Sequence, residues 1–299
     1  MENSFSPLIR PIIAMLPERI ASAVCRADTG APVEELRLRI AQPPQMVFSS
    51  GEMLLEGVVF TRENAAELLE KLCRHSIYSH SEELKRGFLA FDGGIRIGVC
   101  GRPVSENGSI VKLTEVSSFN IRFAREALGC AEGSMRLVSE AGRPVSSLII
   151  AAPSGGKTTL LRDIARCFSE GIGVDPVKTA IADERGELAG CSGGAPTFNV
   201  GRRTDVMEFV SKAEAVSLLV RSMSPEVIIT DEIGDRADAD SLTEAVRCGV
   251  AVIASAHASS AEELMQREVL SGLIKSGAFR RVLLLKRRGS VLRISPLKL

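Results

Sequence analysis

The chain has 299 residues, 45% of them hydrophobic and 25% charged, which is ordinary globular composition with room for two compact domains. Its 37 basic and 37 acidic side chains cancel, so no global field draws it to nucleic acid or to anionic lipid. Seven cysteines stand at Cys25, Cys73, Cys100, Cys130, Cys167, Cys191 and Cys248 with no C-x-x-C pair, which argues against a zinc site and a disulfide framework and for reduced thiols in a cytoplasmic protein.

In chain order, the first thirty or so residues read as a short helical or irregular lead-in interrupted by Pro7, Pro11 and Pro17. No charged-then-apolar leader opens the chain, and no apolar run reaches the roughly 18 residues of a membrane span. A soluble protein is expected, attached to a membrane at most through a partner. Glu34–Ile40 alternates with period two, as a half-buried strand does, and 45–48 reads as another strand. Thr61 can cap a helix whose apolar residues fall at Ala65, Leu68, Leu69 and Leu72, and a short helix follows near Ser81. Strands are then predicted over 87–91, 95–100 and, with a break, 110–123, the first two joined at Gly93–Gly94. This half is α+β with a mostly antiparallel sheet. The segment from Ala124 to Gly142 is rich in small residues and is predicted helical. The expected division is an N-terminal α+β domain over 1–125, a linking helix over 126–145, and a second domain over 146–299.

The rhythm then changes. Apolar strands are predicted at 148–150, 179–182, 227–230 and 250–255, alternating with helices at 157–169, 206–223 and 239–248. Continuous apolar strands between helices imply a parallel sheet covered on both faces. Ser260-x-x-Glu263 is a capping box opening one more helix, and 279–286 with 290–295 reads as a closing hairpin.

Between the strand at 148–150 and its helix lies A-A-P-S-G-G-K-T-T, Ala151 to Thr159. Such a loop turns its amides inward onto phosphate oxygens, with Pro153, Ser154, Gly155, Gly156, Lys157, Thr158 and Thr159 as the cradle. Lys157 would reach the β- and γ-phosphates of ATP, and the Thr158 hydroxyl would hold Mg²⁺. Ala151 replaces the usual first glycine. The apolar run Val227–Thr230 ends in Asp231 and Glu232, a second Mg²⁺ ligand and a general base for water. Asp183 and Glu184 end another predicted strand and His257 follows a third, at the edge where open α/β sheets bind ligands. His257 is placed to sense the γ-phosphate, and Asp183 or Glu184 to order water or metal. The alternatives are a surface turn pairing Asp183 with Arg185 and a loop histidine.

Together these stretches resemble the secretion-type ATPases, ring motors of type II and type IV secretion and of pili. The phosphate loop, the acidic box Ile181–Glu187, the segment Leu218–Asp235 and the histidine box Gly249–His257 occur in that family's order. The phrases at 34–39, 96–104, 117–126, 181–190 and 221–234 resemble its stage III sporulation branch in endospore-forming bacteria. Ala182 stands where the family usually carries glutamate, and Asp231 where it often has glycine.

The resemblance implies a RecA-like P-loop NTPase domain with a parallel sheet, preceded by a smaller α+β domain. It also implies a hexameric ring hydrolysing Mg-ATP to power an envelope channel between mother cell and forespore. The protein would lie on the mother-cell side, partnered by membrane proteins of that apparatus, with no nucleic acid expected. It places Arg221 in the family's arginine position and leaves Arg96, Arg102 and Arg122 as groups that could reach a neighbour's site. A nucleic-acid-dependent ATPase and an ATP-gated scaffold with little hydrolysis are the alternatives. Beyond Glu268 the chain has no acidic residue, while Lys275, Arg280, Arg281, Lys286, Arg287, Arg288, Arg293 and Lys298 lie there. That tail reads as a solvated hairpin or as a docking surface for an acidic partner or anionic lipid.

Overall fold

A computed structural model describes residues 9–48, 50–73, 76, 80–85, 87–91, 93–106, 109–123, 126–153, 155–288 and 291–297. Expectations placed on Pro7, Ala124, Ser154, Ser290 and Lys298 fall outside them. The chain divides into two compact units, Met1–Arg125 and Glu126–Leu299.

The first unit carries helices α1 (Arg10–Met15), α2 (Glu18–Arg26), α3 (Arg62–Leu72) and α4 (Ser81–Lys85) with one antiparallel sheet. Its strands are β1 (Val33–Arg39), β2 (Gln45–Phe48), β3 (Gly51–Leu54), β4 (Phe88–Phe91), β5 (Ile95–Glu106) and β6 (Ser109–Arg122), in the order β3-β2-β1-β6-β5-β4. Period-two alternation sends Leu36 and Leu38 of β1 inward with Ile95, Ile97, Phe119 and Ile121. Phe60 meets Phe119 edge to face at 6.1 Å. Thr61 caps α3 through Asn64, and Ala65, Leu68 and Leu72 are its buried stripe. The lead-in is more ordered than expected, because Ile12, Ile20 and Val24 of α1 and α2 join this core. The exposed β3 left no alternation to read.

The second unit is built on β7 (Ser147–Ala151), β8 (Thr179–Asp183), β9 (Thr204–Glu208), β10 (Val227–Glu232), β11 (Ala251–His257), β12 (Arg281–Arg288) and β13 (Val291–Pro296). Their order is β9-β8-β10-β11-β7-β12-β13. All neighbours are parallel except the β12–β13 hairpin. Around them pack α5 (Lys157–Glu170), α6 (Lys212–Met223), α7 (Arg236–Arg247), α8 (Ala261–Gln266) and α9 (Glu268–Lys275). Apolar side chains on the two faces of the sheet feed two separate cores, one holding Leu148, Ile228 and Val252, the other Ile149, Ile229 and Ile253. That is the layered α/β arrangement expected from the continuous apolar strands.

Two expectations are corrected. The helix over 206–223 is shorter, because Thr204–Glu208 pairs with β8 as an edge strand and Ser211 caps α6 only afterwards. The linking helix is a 3-10 turn over Glu132–Leu137 followed by a small ribbon. The Asp163 carboxylate on α5 takes the amides of Gly129 (3.2 Å) and Ala131 (2.7 Å), so those donors serve no α-helix. Arg166 donates to Asp163 at 2.7 Å and to Glu132 at 2.8 Å, completing the clamp. Part of the basic tail is also used internally, since Arg280 pairs with Glu140 at 3.0 Å and Arg281 donates to the carbonyls of Arg136 and Ser139.

Asp163→Ala removes one of the two carboxylates that hold the buried Arg166 guanidinium and leaves two amides without their acceptor, and is expected to destabilise this unit by about 3–5 kcal/mol. Urea unfolding checks this, and an unchanged midpoint would contradict the clamp.

Candidate nucleotide site

The registers bring four strand ends side by side. His257 of β11 lies opposite Ala151 of β7, Glu232 of β10 opposite Ser255 of β11, and Asp183 ends β8 on the far side of β10. β7 lies between β11 and β12, so the loop after it stands at the middle of the carboxyl edge, where open α/β sheets bind ligands.

The loop after β7 is shaped by two glycines. A Cβ on Gly155 would lie 2.9 Å from the Ala151 methyl and from the Ala152 carbonyl. Gly156 sits at φ 89° as the N-cap of α5, and a Cβ there would lie 2.7 Å from Leu292 of β13. The first loop position tolerates Ala151 because its methyl is buried in the core. Pro153 is exposed on the loop, Thr158 and Thr159 open the helix half-buried, and Ser154 lies outside the described residues. A backbone this close to its own walls, entering a helix N-terminus, has the shape that suits an anion.

Lys157 is buried, and its Nζ donates to the carbonyls of Ala151 (3.3 Å) and Ala152 (3.4 Å). The same nitrogen lies 2.7 Å from His257 Nδ1. An ammonium only donates, so Nδ1 accepts and the imidazole proton sits on Nε2. Nε2 in turn lies 3.2 Å from a Glu232 carboxylate oxygen. Burial lowers the Lys157 pKa, while the charge of Glu232 opposes that. The three residues form one continuous polar chain along the carboxyl edge.

Asp231 points the other way, into the protein. It is 6% exposed, and burial pushes its carboxyl up to about 6, held back by Lys212. Lys212, which sequence reasoning missed, is 1% exposed. Its Nζ lies 3.6 Å from Asp231, 3.3 Å from Asp238 and 3.9 Å from Glu184, and donates to the Glu232 carbonyl. The available signal was its place at the head of the buried stripe Lys212, Ala215, Val216, Leu219, where a lysine is out of character.

The remaining assignments divide. Asp183 does not join that chain: it accepts from the amides of Glu187, Leu188 and Ala189, each at 2.9 Å. Burial raises its pKa and those amides oppose the rise. It folds the acidic box and has no oxygen turned to water or metal, which corrects the role expected of it. Arg162 secures the same loop, donating to the carbonyls of Leu188 and Glu187 at 2.7 Å while stacking on Phe198 at 3.7 Å. Arg185 pairs with Glu232 at 3.8 Å rather than with Asp183. Ala182 is sealed in β8. Arg221 is exposed and bonds Ser217 on its own helix. It lies about 14 Å along α6 from Lys212 at 1.5 Å rise per residue, so it does not join the group at the strand ends. In the first unit, Arg96 stacks on Phe88 at 4.3 Å, Arg122 lies 3.5 Å from Glu35, and Arg102 is exposed.

Thr158, half-buried at the start of α5, offers a hard oxygen that suits Mg²⁺, an ion that takes one or two protein oxygens and completes its shell with phosphates and water, whereas Asp231 is turned inward beside Lys212, which corrects the ligand role expected of it.

A glycine-shaped phosphate loop between a central parallel strand and its helix, with an acid-ended strand one position removed, defines a RecA-like P-loop NTPase fold. Residues 11–297 match the family described as Sporulation stage III, protein AA, and the chain belongs to it. Stage III sporulation protein AA of Bacillus subtilis (strain 168) is 42% identical over 279 residues, covering 92% of this chain and 90% of that protein. Two solved structures share the fold at 15% identity. The Legionella pneumophila ATPase DotB has a TM-score of 0.58, covering 97% of this chain and 80% of its own. The pilus retraction motor PilT with bound ADP has a TM-score of 0.62, covering 94% and 82%.

The raised pKa of Asp231 fixes a sign. Between the ordinary 3.8 and about 6 the folded state binds the extra proton, so this group costs stability as pH rises through that window, and the full cost remains at neutral pH. Asp231→Asn is therefore expected to raise the melting temperature of nucleotide-free protein at neutral pH and to leave it nearly unchanged near pH 4. Scanning calorimetry at both pH values checks this, and a lower neutral melting temperature would contradict it.

Proposed function

We propose that this chain is an ATPase that hydrolyses Mg-ATP to drive a secretion-like envelope complex during sporulation. The observation that carries the reading is the contiguous Lys157–His257–Glu232 chain, with spacings of 2.7 and 3.2 Å, at the mouth of a phosphate loop. Membership of the sporulation family supports the setting, and the shared fold with DotB and PilT supports a motor.

In this reading Gly155, Gly156, Thr158 and Thr159 wrap the phosphates with their amides. Lys157 exchanges His257 for phosphate oxygens, and its depressed pKa favours a charged ligand that restores its partner. His257, released at Nδ1, is free to hydrogen-bond the γ-phosphate or its neighbouring water. Glu232 orients that water and takes its proton. Bound Mg²⁺, held by Thr158 and completed by phosphate and water oxygens, would screen the phosphate charge. The protein assembles as a hexameric ring, with Arg96, Arg102 or Arg122 reaching a neighbour's nucleotide. It works from the mother-cell cytoplasm and is held at the membrane by small membrane proteins of the apparatus. No described helix is long and apolar enough to cross a membrane.

Glu232→Gln keeps the size and the contact with His257 but removes the base. ATP binding should persist while turnover falls about 100- to 10,000-fold. Filter binding and phosphate release measured on one preparation check this, and wild-type turnover in the variant sinks the assignment of the base.

A further inference from the structure

Resting on the reading of the site as an ATPase centre, we propose that Arg185 is the arginine that neutralises the γ-phosphate of the chain's own nucleotide, held on Glu232 until ATP arrives. The family resemblance implies arginines on other elements. The geometry points instead to the acidic-box loop.

That loop is anchored far more firmly than a surface turn. The Asp183 carboxylate holds three of its amides and Arg162 holds two of its carbonyls from beneath. Phe209 presses its ring on Gly186, where a Cβ would lie 2.7 Å from the ring, and adopts a left-handed φ of 58° to do so. Phe209 also donates its amide to the Asp183 carbonyl at 3.2 Å. The root of Arg185 is thus fixed at the carboxyl edge of β8, beside β10.

The Arg185 head, in contrast, is loosely held. Its Nη1 lies 3.8 Å from Glu232 Oε2, beyond hydrogen-bond distance, and the side chain is 47% exposed. The same Oε2 lies 3.2 Å from His257 Nε2, which leads back to Lys157. Two cations, Lys157 and Arg185, therefore stand at the two ends of one His257–Glu232 pair. An entering γ-phosphate meets both, and a pair of its terminal oxygens matches the guanidinium fork better than a single carboxylate oxygen does. Moving Arg185 onto the phosphate also frees Glu232 Oε2 to hold the attacking water. One displacement neutralises the phosphate and uncovers the base.

In the step itself the water oxygen bonds to the γ-phosphorus, and the bond from that phosphorus to the bridging oxygen breaks. The electron pair leaves on ADP, and the water proton passes to Glu232 and then to solvent, giving ADP, inorganic phosphate and a proton. Arg185 stays protonated throughout and pairs with the γ-oxygens as charge shifts toward the leaving group.

The test is steady-state hydrolysis together with separate ATP and ADP dissociation constants for wild type, Arg185→Ala and Arg185→Lys in the full chain. Arg185→Ala should lose about 100-fold or more in kcat and about tenfold in its preference for ATP over ADP, with ADP affinity unchanged. Arg185→Lys should recover part of both losses, since the charge remains without the fork. An Arg185→Ala protein with wild-type kcat and wild-type ATP preference overturns the proposal. Equal loss of ATP and ADP binding also overturns it, because that marks a collapsed loop rather than a lost phosphate contact. If wild type binds nucleotide without turnover, the ATP preference alone decides. If wild type binds neither nucleotide, the ATPase reading itself fails.

Discussion

One ammonium group organises the carboxyl edge of the sheet in the second unit. Lys212 Nζ is nearly sealed from water, with Asp231, Asp238, Glu184 and the Glu232 carbonyl around it. Burying a cation is costly unless oxygens replace its hydration, and here three elements supply them: the end of β10, the start of α7 and the acidic-box loop. Asp238 also accepts the Gly234 amide at 2.9 Å, so the turn from β10 into α7 closes on the same centre. Without that cation, three carboxylates would face one another in a poorly hydrated space, and neither Asp231 nor Glu232 would keep its place.

On this foundation the site divides into an anchored layer and an exchangeable layer. Asp183, Arg162 and Lys212 have their hydrogen bonds committed inside the protein. Lys157, His257 and Glu232 satisfy one another along the carboxyl edge, with Arg185 loosely paired to Glu232, and each contact can be traded for a contact with an anion. That division suits a site that must be held rigidly and yet receive a highly charged ligand. Leu292 of the terminal hairpin lies against Gly156, so even the last strand helps to shape the phosphate loop.

Much of this was legible in the sequence wherever a local pattern carried the information. The alternation at Leu36 and Leu38, the apolar runs ending at Glu232 and His257, and the paired glycines before Lys157 each obey a short-range rule. The edge strand over Thr204–Glu208 was hidden because its half-buried residues run smoothly into the apolar positions of α6. The 3-10 turn over Glu132–Leu137 depends on Asp163, a partner some 30 residues away that no window contains. For the same reason Asp183 reads as a ligand candidate and proves to be a loop clamp. Lys212 and Arg185 gain their roles only when β8, β10 and α6 are brought together, and Arg221 loses the one expected of it because α6 points it away.

The central claim is that the chain closes around the phosphates of ATP and turns it over. The most direct measurement is Mg-dependent phosphate release by purified protein over a concentration series, with Lys157→Ala as control. The account predicts release that rises per chain with concentration, as a ring motor requires, and that vanishes in the variant. Release that persists in Lys157→Ala, or wild-type protein that neither binds nor hydrolyses ATP at any concentration, would contradict it.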